Sequence, residues 1–210
     1  ALTDGTRGLA ALREVDLAGA RERVAGVSVL AATDADNPLV GLTGTTNVLG
    51  RGRGVTEDRV QAVDALLERL AVATDRKVAL ARGAGAGGGL GFALLLLGAA
   101  RAPGVEVVAE AVGLAGHAAA ADLVVTGEGS FDFSSRSGSV PYAVAAVAAQ
   151  ALQPCIALAD EVLVGAREMR ALGIESAYSV RDLLGARASA DDPSGSLAAL
   201  AERTARTWSR

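Results

Sequence analysis

From residue 123 to the C-terminus, short apolar runs alternate with stretches of helical periodicity, and few architectures accept that order. Residues 123–126 read as a strand, 141–152 as a helix, 155–159 as a strand, 165–172 as a helix, 176–180 as a short strand and 196–208 as a closing helix. Uninterrupted Val, Ile, Leu and Ala runs suit strands buried on both faces, the pattern of parallel strands covered by helices. In the closing helix Leu197, Leu200, Ala201, Thr204 and Trp208 fall on one stripe. The expected fold class is α/β with a three-layer parallel sheet, in which ligands sit beyond the carboxyl ends of the strands.

The first half of the chain carries the same two signals less regularly. Residues 27–33 (VSVLAAT) predict a buried strand that Asp34, Asp36, Asn37 and Pro38 bring to an end. Thr56 is placed to cap a helix, with Glu57 and Asp58 in its positive first turn and Val55 stapled on Val60. Val60, Val63, Leu67 and Leu70 continue at helical spacing. A glycine-rich run over 83–91 then leads into a buried helix over 92–97, preceded by only a marginal strand at 77–80. The expected division is a first domain over 1–120 and a second over 121–210.

Charge and the rare residues exclude whole classes of chemistry. Twenty Lys and Arg against 24 Asp and Glu give a net charge of −4, so no global attraction toward nucleic acid or an anionic membrane exists. His117 is the single histidine and Cys155 the single cysteine, which gives poor support to a zinc site, a disulfide framework or a Ser/His/Asp triad and fits a reducing, cytoplasmic location. His117 reads as a helix-surface residue and Cys155 as a small buried hydrophobe. Lys77 is the sole lysine and no Gly-Lys-Ser/Thr sequence occurs, so a Walker-type phosphate loop is absent. Any phosphate must be held by arginines, backbone amides or a metal. The start of the chain lacks the long apolar core of a signal peptide, and the uncharged run over 83–100 is broken by glycines in its first half.

Three segments carry candidate chemistry. The glycines at 83, 85, 87, 88, 89 and 91 precede a helix, where exposed amides can cradle phosphate; the same glycines also suit tight packing. Gly127-Glu128-Gly129-Ser130-Phe131-Asp132 follows a predicted strand, which puts Glu128 and Asp132 at a sheet edge as metal ligands or a general base; a solvated turn is the alternative. Asp34, Asp36 and Asn37 close another strand and suit magnesium or a hydroxylated substrate, or simply form a turn. Arg51 and Arg53, among glycines, supply positive charge nearby. Asp160 and Glu161 end the next strand, facing the same edge or solvent.

Residues 33–54 (TDADNPLVGLTGTTNVLGRGRG), 82–95 (RGAGAGGGLGFALL) and 125–141 (VTGEGSFDFSSRSGSVP) resemble, in order and spacing, the signature stretches of the type I glycerate kinase family. The likeness extends over nearly the whole chain and matches about the C-terminal half of a family member. The family's opening strand and its adjoining loop have no counterpart here. The resemblance implies transfer of a phosphoryl group from ATP to D-glycerate with Mg2+, on a flavodoxin-like α/β domain and an inserted second α/β domain, with the active site in the cleft between them. By motif position, Gly83, Gly85, Gly87, Gly88, Gly127 and Gly129 would contact the nucleotide. Glu128 and Asp132 would serve as catalytic or magnesium-binding carboxylates, and Asp34, Asp36, Asn37 and Arg53 would meet glycerate. A small-molecule substrate, no nucleic acid, no membrane and room for a homodimer complete that expectation.

The chain departs from the family pattern at three places. Gly138-Ser139 replaces Gly-Lys before Pro141, Arg51-Gly52-Arg53-Gly54 replaces Pro-Gln-Lys-Gly, and Asp160 stands where relatives have glycine. The first removes a cation, the second changes its geometry, and the third adds negative charge where triphosphate is expected, which Coulomb repulsion opposes unless a cation intervenes. The competing reading is a homologue with a binding or structural role only. A dinucleotide-binding oxidoreductase is the weaker rival, because neither a strand before the glycines nor an acid about 20 residues beyond them is clear.

Overall fold

The computed structural model describes residues 2–132 and 139–209. The chain forms two compact units, Ala1–Pro103 and Gly104–Arg210, so residues 104–120 join the second.

The first unit contains a 3-10 stretch Leu2–Ala11, α1 (Ala18–Arg23), β1 (Leu30–Ala32), α2 (Thr45–Leu49), a 3-10 turn Arg51–Arg53 and α3 (Glu57–Ala73). Then come α4 (Arg76–Ala79), a 3-10 turn Ala86–Gly88, α5 (Leu90–Leu96) and β2 (Ala100–Ala102). β1 and β2 form a two-stranded parallel pair with Ala31 opposite Arg101. The predicted buried strand at 27–33 is thus three residues long, and Val27 and Leu30 are exposed. A pair this short, with one neighbour, covers little more than Ala31.

Helices hold this unit together. Val60, Val63, Leu67 and Ala71 bury one face of α3, close to the predicted stripe. Leu39, Val40, Leu67, Ala79, Ala84, Phe92 and Leu96 join Leu9 in the core. Thr56 occupies the N-cap of α3 with extended backbone, but its side chain makes no capping bond. Residues 77–80 are not a strand: Asp75 caps α4 by accepting the Lys77 and Val78 amide hydrogens at 2.9 and 3.1 Å. That local acceptor decides the conformation of an otherwise ambiguous apolar run.

The second unit contains α6 (Gly104–Ala111), α7 (Leu114–Ala119), β3 (Val124–Phe131), α8 (Val140–Gln150), β4 (Cys155–Val162), α9 (Ala166–Ala171) and β5 (Ser176–Ser179). It closes with α10 (Val180–Leu184), α11 (Ala186–Asp191) and α12 (Pro193–Trp208). The three strands are parallel in the order β3-β4-β5. Central β4 is almost wholly buried over Cys155, Ile156 and Ala157, as a strand covered on both faces must be. Cys155, Ala157 and Ala159 pack with Ala145 and Ala148 of α8 and Met169 of α9, while Ile156 and Leu158 share a groove with Ala201, Thr204 and Trp208 of α12. Helix, sheet, helix is the expected three-layer order.

β3 and β4 run further than their apolar residues predict. β3 continues through Gly127-Glu128-Gly129-Ser130 to Phe131, in register with β4 as far as Val162. The strand expected to end at Thr126 therefore runs on to Phe131, and the alternative of a solvated turn directly after it does not hold. His117 lies exposed on α7 and Cys155 is buried, as predicted; burial pushes the Cys155 thiol up to about 11. Ser139 occupies the N-cap of α8, whose Pro141 is buried at the first turn. Gly138 and the rest of residues 133–138 in the third motif lie outside the described residues. Among the described residues no helix is long and apolar enough to cross a membrane.

Candidate active site

In the first unit the acidic turn and the glycine run are one assembly. The Gly83 amide donates to the Asp36 carbonyl at 3.3 Å, the Gly85 amide donates to the Asn37 carbonyl at 2.9 Å, and Thr45 Oγ1 donates to the Gly85 carbonyl at 2.9 Å. A Cβ on Gly85 would stand 2.1 Å from Asn37 Nδ2 and 2.3 Å from the Pro38 carbonyl oxygen, so only glycine lets the two segments meet. These amides hold the turn. Gly87, Gly88 and Gly89 follow with φ of +60°, +74° and +110°, conformations that L side chains rarely adopt. Gly87 and Gly88 are exposed, and a Cβ on Gly88 would lie 3.9 Å from Arg53 Nη1. Arg53 thus lies beside the glycine run.

Asp36 is bound on both oxygens. Arg82 Nη2 donates to Asp36 Oδ2 and Arg101 Nη2 donates to Asp36 Oδ1. The hydrogen bond from Arg82, aided by the charge of Arg101, holds the Asp36 carboxyl below the usual carboxylate range. Sequence reasoning did not single out either arginine. Arg82 stands inside the glycine motif, but Arg101 reaches Asp36 from 65 residues away on β2. The Asn37 amide donates to the Pro38 carbonyl at 3.3 Å, and Asp34 completes the turn two residues before Asp36.

In the second unit the extended strand separates side chains that the sequence places together. Alternation along β3 puts Gly127, in register with Leu158, and Gly129 on one face, and Glu128 on the other, opposite Ala159. Ser130 shares the face of Glu128, and Ser130 Oγ donates to Asp132 Oδ2 at 3.2 Å. Four residues of strand span about 13 Å, so Glu128 and Asp132 are set to meet different groups along one edge. Among the described residues no cluster of three or more His, Cys, Asp or Glu is close enough to cage a metal.

Asp160 proves to be neutralised. Ser189 Oγ donates to its Oδ1, Arg181 Nε donates to its Oδ2 at 2.9 Å, and Ser179 Oγ donates to its carbonyl at 3.0 Å. The Ser189 hydroxyl and the Arg181 guanidinium hold the Asp160 carboxyl low. Arg181 also reaches Glu161 at 3.3 Å. The cation that the negative charge at 160 demands thus comes from α10. These groups border a cavity of about 600 Å³ beside the second halves of β3 and β4, roofed by α11 and the start of α12. Leu197, expected in the core stripe, is 45% exposed because it lines that cavity.

Comparison with known proteins agrees with the motifs. The model of the glycerate kinase family matches residues 1–209. An uncharacterised protein of Mycobacterium bovis is 36% identical over 98% of this chain and 55% of its own length. The glycerate 2-kinase of Escherichia coli K12 is 33% identical over 86% of this chain and 49% of its own, and the glycerate kinase of Bacillus subtilis 32% over 84% and 47%. A crystal structure carrying the name glycerate kinase 2, from Salmonella typhimurium LT2, superposes with a TM-score of 0.66 at 34% identity, over 83% of this chain and 46% of that one. The chain spans about half the length of the curated relatives it matches. On the family match and these identities, the chain belongs to the glycerate kinase family.

Proposed function

We propose that the chain acts in the ATP-dependent phosphorylation of D-glycerate. The observation that carries this reading is the joining of the acidic turn to the glycine run through Gly83, Gly85 and Thr45, which brings two family motifs and Arg53 into one constellation. Phosphoryl transfer asks a protein mainly to position donor and acceptor and to neutralise the transferred oxygens. Gly87 and Gly88 leave backbone exposed for phosphate, and Arg53 adds the charge that the absent Walker lysine cannot. Asp34 and Asn37 offer hydrogen-bonding groups to the glycerate hydroxyls, with Asp36 held between Arg82 and Arg101 to fix the turn.

Glu128 and Asp132 complete the inventory. Asp132, hydrogen-bonded by Ser130, is the group we assign to accept the proton of the attacking hydroxyl, and Glu128 the one to face magnesium. Magnesium ordinarily takes one or two carboxylates and completes its shell with phosphate oxygens and water, so an uncaged carboxylate edge fits it. When bound it would neutralise phosphate oxygens. Asp132→Asn tests the assignment: turnover falls at least about 100-fold while the urea midpoint stays within error. Unchanged turnover removes Asp132 from the chemistry.

A further inference from the structure

We propose that the cavity in the second unit receives the nucleoside half of ATP, its base and ribose, and not the phosphates. This rests on the reading of ATP as phosphoryl donor. The cavity, about 600 Å³, lies within the range of small-molecule sites and beside the carboxyl-terminal halves of parallel strands, where α/β sheets hold ligands. On its β3 side the wall is Gly127, Glu128 and Gly129, two of the three without side chains. Gly127 is forced by the Leu158 carbonyl, yet Gly129 has nothing within 4 Å of where its Cβ would stand, so steric conflict does not require glycine there. The remaining walls are largely apolar, from Leu158, Val180, Ala190 and Leu197.

Charge decides which end of the nucleotide enters. The charged residues bordering the space are Glu128, Asp160 and Arg181, of which Asp160 and Arg181 are paired at 2.9 Å, with Ser189 also donating to Asp160 and Glu161 also drawing on Arg181. One guanidinium thus stands against the carboxylates of Asp160, Glu161 and Glu128, so no excess positive charge remains for a triphosphate. An uncharged ring with hydrogen-bonding edges matches apolar walls interrupted by one neutralised polar cluster.

Calorimetric titration of the intact chain with adenosine, ATP and inorganic tripolyphosphate tests this. Adenosine should bind and compete with ATP, tripolyphosphate should not displace adenosine, and Ala190→Trp should weaken adenosine at least tenfold. Leu197→Trp serves as a second filling variant, with circular dichroism confirming that each folds. If ATP binds but adenosine neither binds nor competes, or if both folded tryptophan variants bind adenosine unchanged, the placement is wrong while ATP use stands. If neither ATP nor adenosine binds, both readings fall together.

Discussion

A Cβ on Gly127 would stand 2.4 Å from the carbonyl oxygen of Leu158, its register partner on β4. The two strands hydrogen-bond side by side at that point, and neither backbone can yield without breaking the ladder. Gly127→Ala should therefore destabilise the second unit by about 1–3 kcal/mol. Gly129→Ala, two residues on and facing open space, should stay within about 0.5 kcal/mol of the parent. Urea unfolding followed by Trp208 fluorescence compares them, and equal losses would contradict the close approach at Gly127.

Gly85 makes a parallel case in the first unit. Its substitution by alanine drives a methyl group into Asn37 and the Pro38 carbonyl. The expected outcome is faster hydrogen exchange across residues 33–40 and 83–91, at a cost of about 1–3 kcal/mol. Gly52→Ala, with open space around it, should leave both segments protected.

Asp64 is a carboxylate in an unfavourable place. Burial, and the nearby charge of Glu68, push its pKa up, although the Gly41 amide donates to both carboxylate oxygens at 3.3 and 3.2 Å. A folded pKa above the unfolded value means that stability is greatest at low pH and falls as pH rises through the folded pKa. Asp64→Asn keeps an acceptor for Gly41 and removes the charge. It should raise Tm by about 1–3 °C at pH 7 and change it little near pH 3.

Asp160 has the opposite sign. Its folded pKa is lowered by Ser189 and Arg181, so the stability it contributes is present above the ordinary carboxylate pKa and is lost as pH falls through the depressed value. Against Asp160→Asn, the wild type should be more resistant to urea at pH 7, and the difference should shrink as pH drops below about 4. High salt should narrow it as well, because the Arg181 side chain is 43% exposed.

Much of the second unit was legible from its sequence, because apolar runs with helical stretches between them leave few alternatives to a covered parallel sheet. The end of β3 was not. Gly127-Glu128-Gly129-Ser130 has low strand propensity, and what extends it is the ladder to Ala159, Glu161 and Val162 some thirty residues later. The partners of the candidate site were hidden for the same reason. Ser189 reaches Asp160 across 29 residues and Arg101 reaches Asp36 across 65, separations at which no local spacing rule operates. Motif order could locate the carboxylates, but only the fold could say that Asp36 and Asp160 are already bound by arginines. The three-residue β1 was overread: Val29 still accepts a hydrogen bond from the Ala100 amide at 3.0 Å, but Val27 and Ser28 have the composition of a strand and lie outside the β1–β2 ladder.

Phosphorus NMR of the purified chain with ATP, magnesium and D-glycerate tests the functional claim most directly. The account predicts loss of the ATP γ-phosphorus signal with matching growth of ADP and of a phosphate monoester on glycerate, and at least about a 100-fold slower conversion in Asp132→Asn. ATP that persists unchanged, or that yields only inorganic phosphate whether or not glycerate is present, would contradict it.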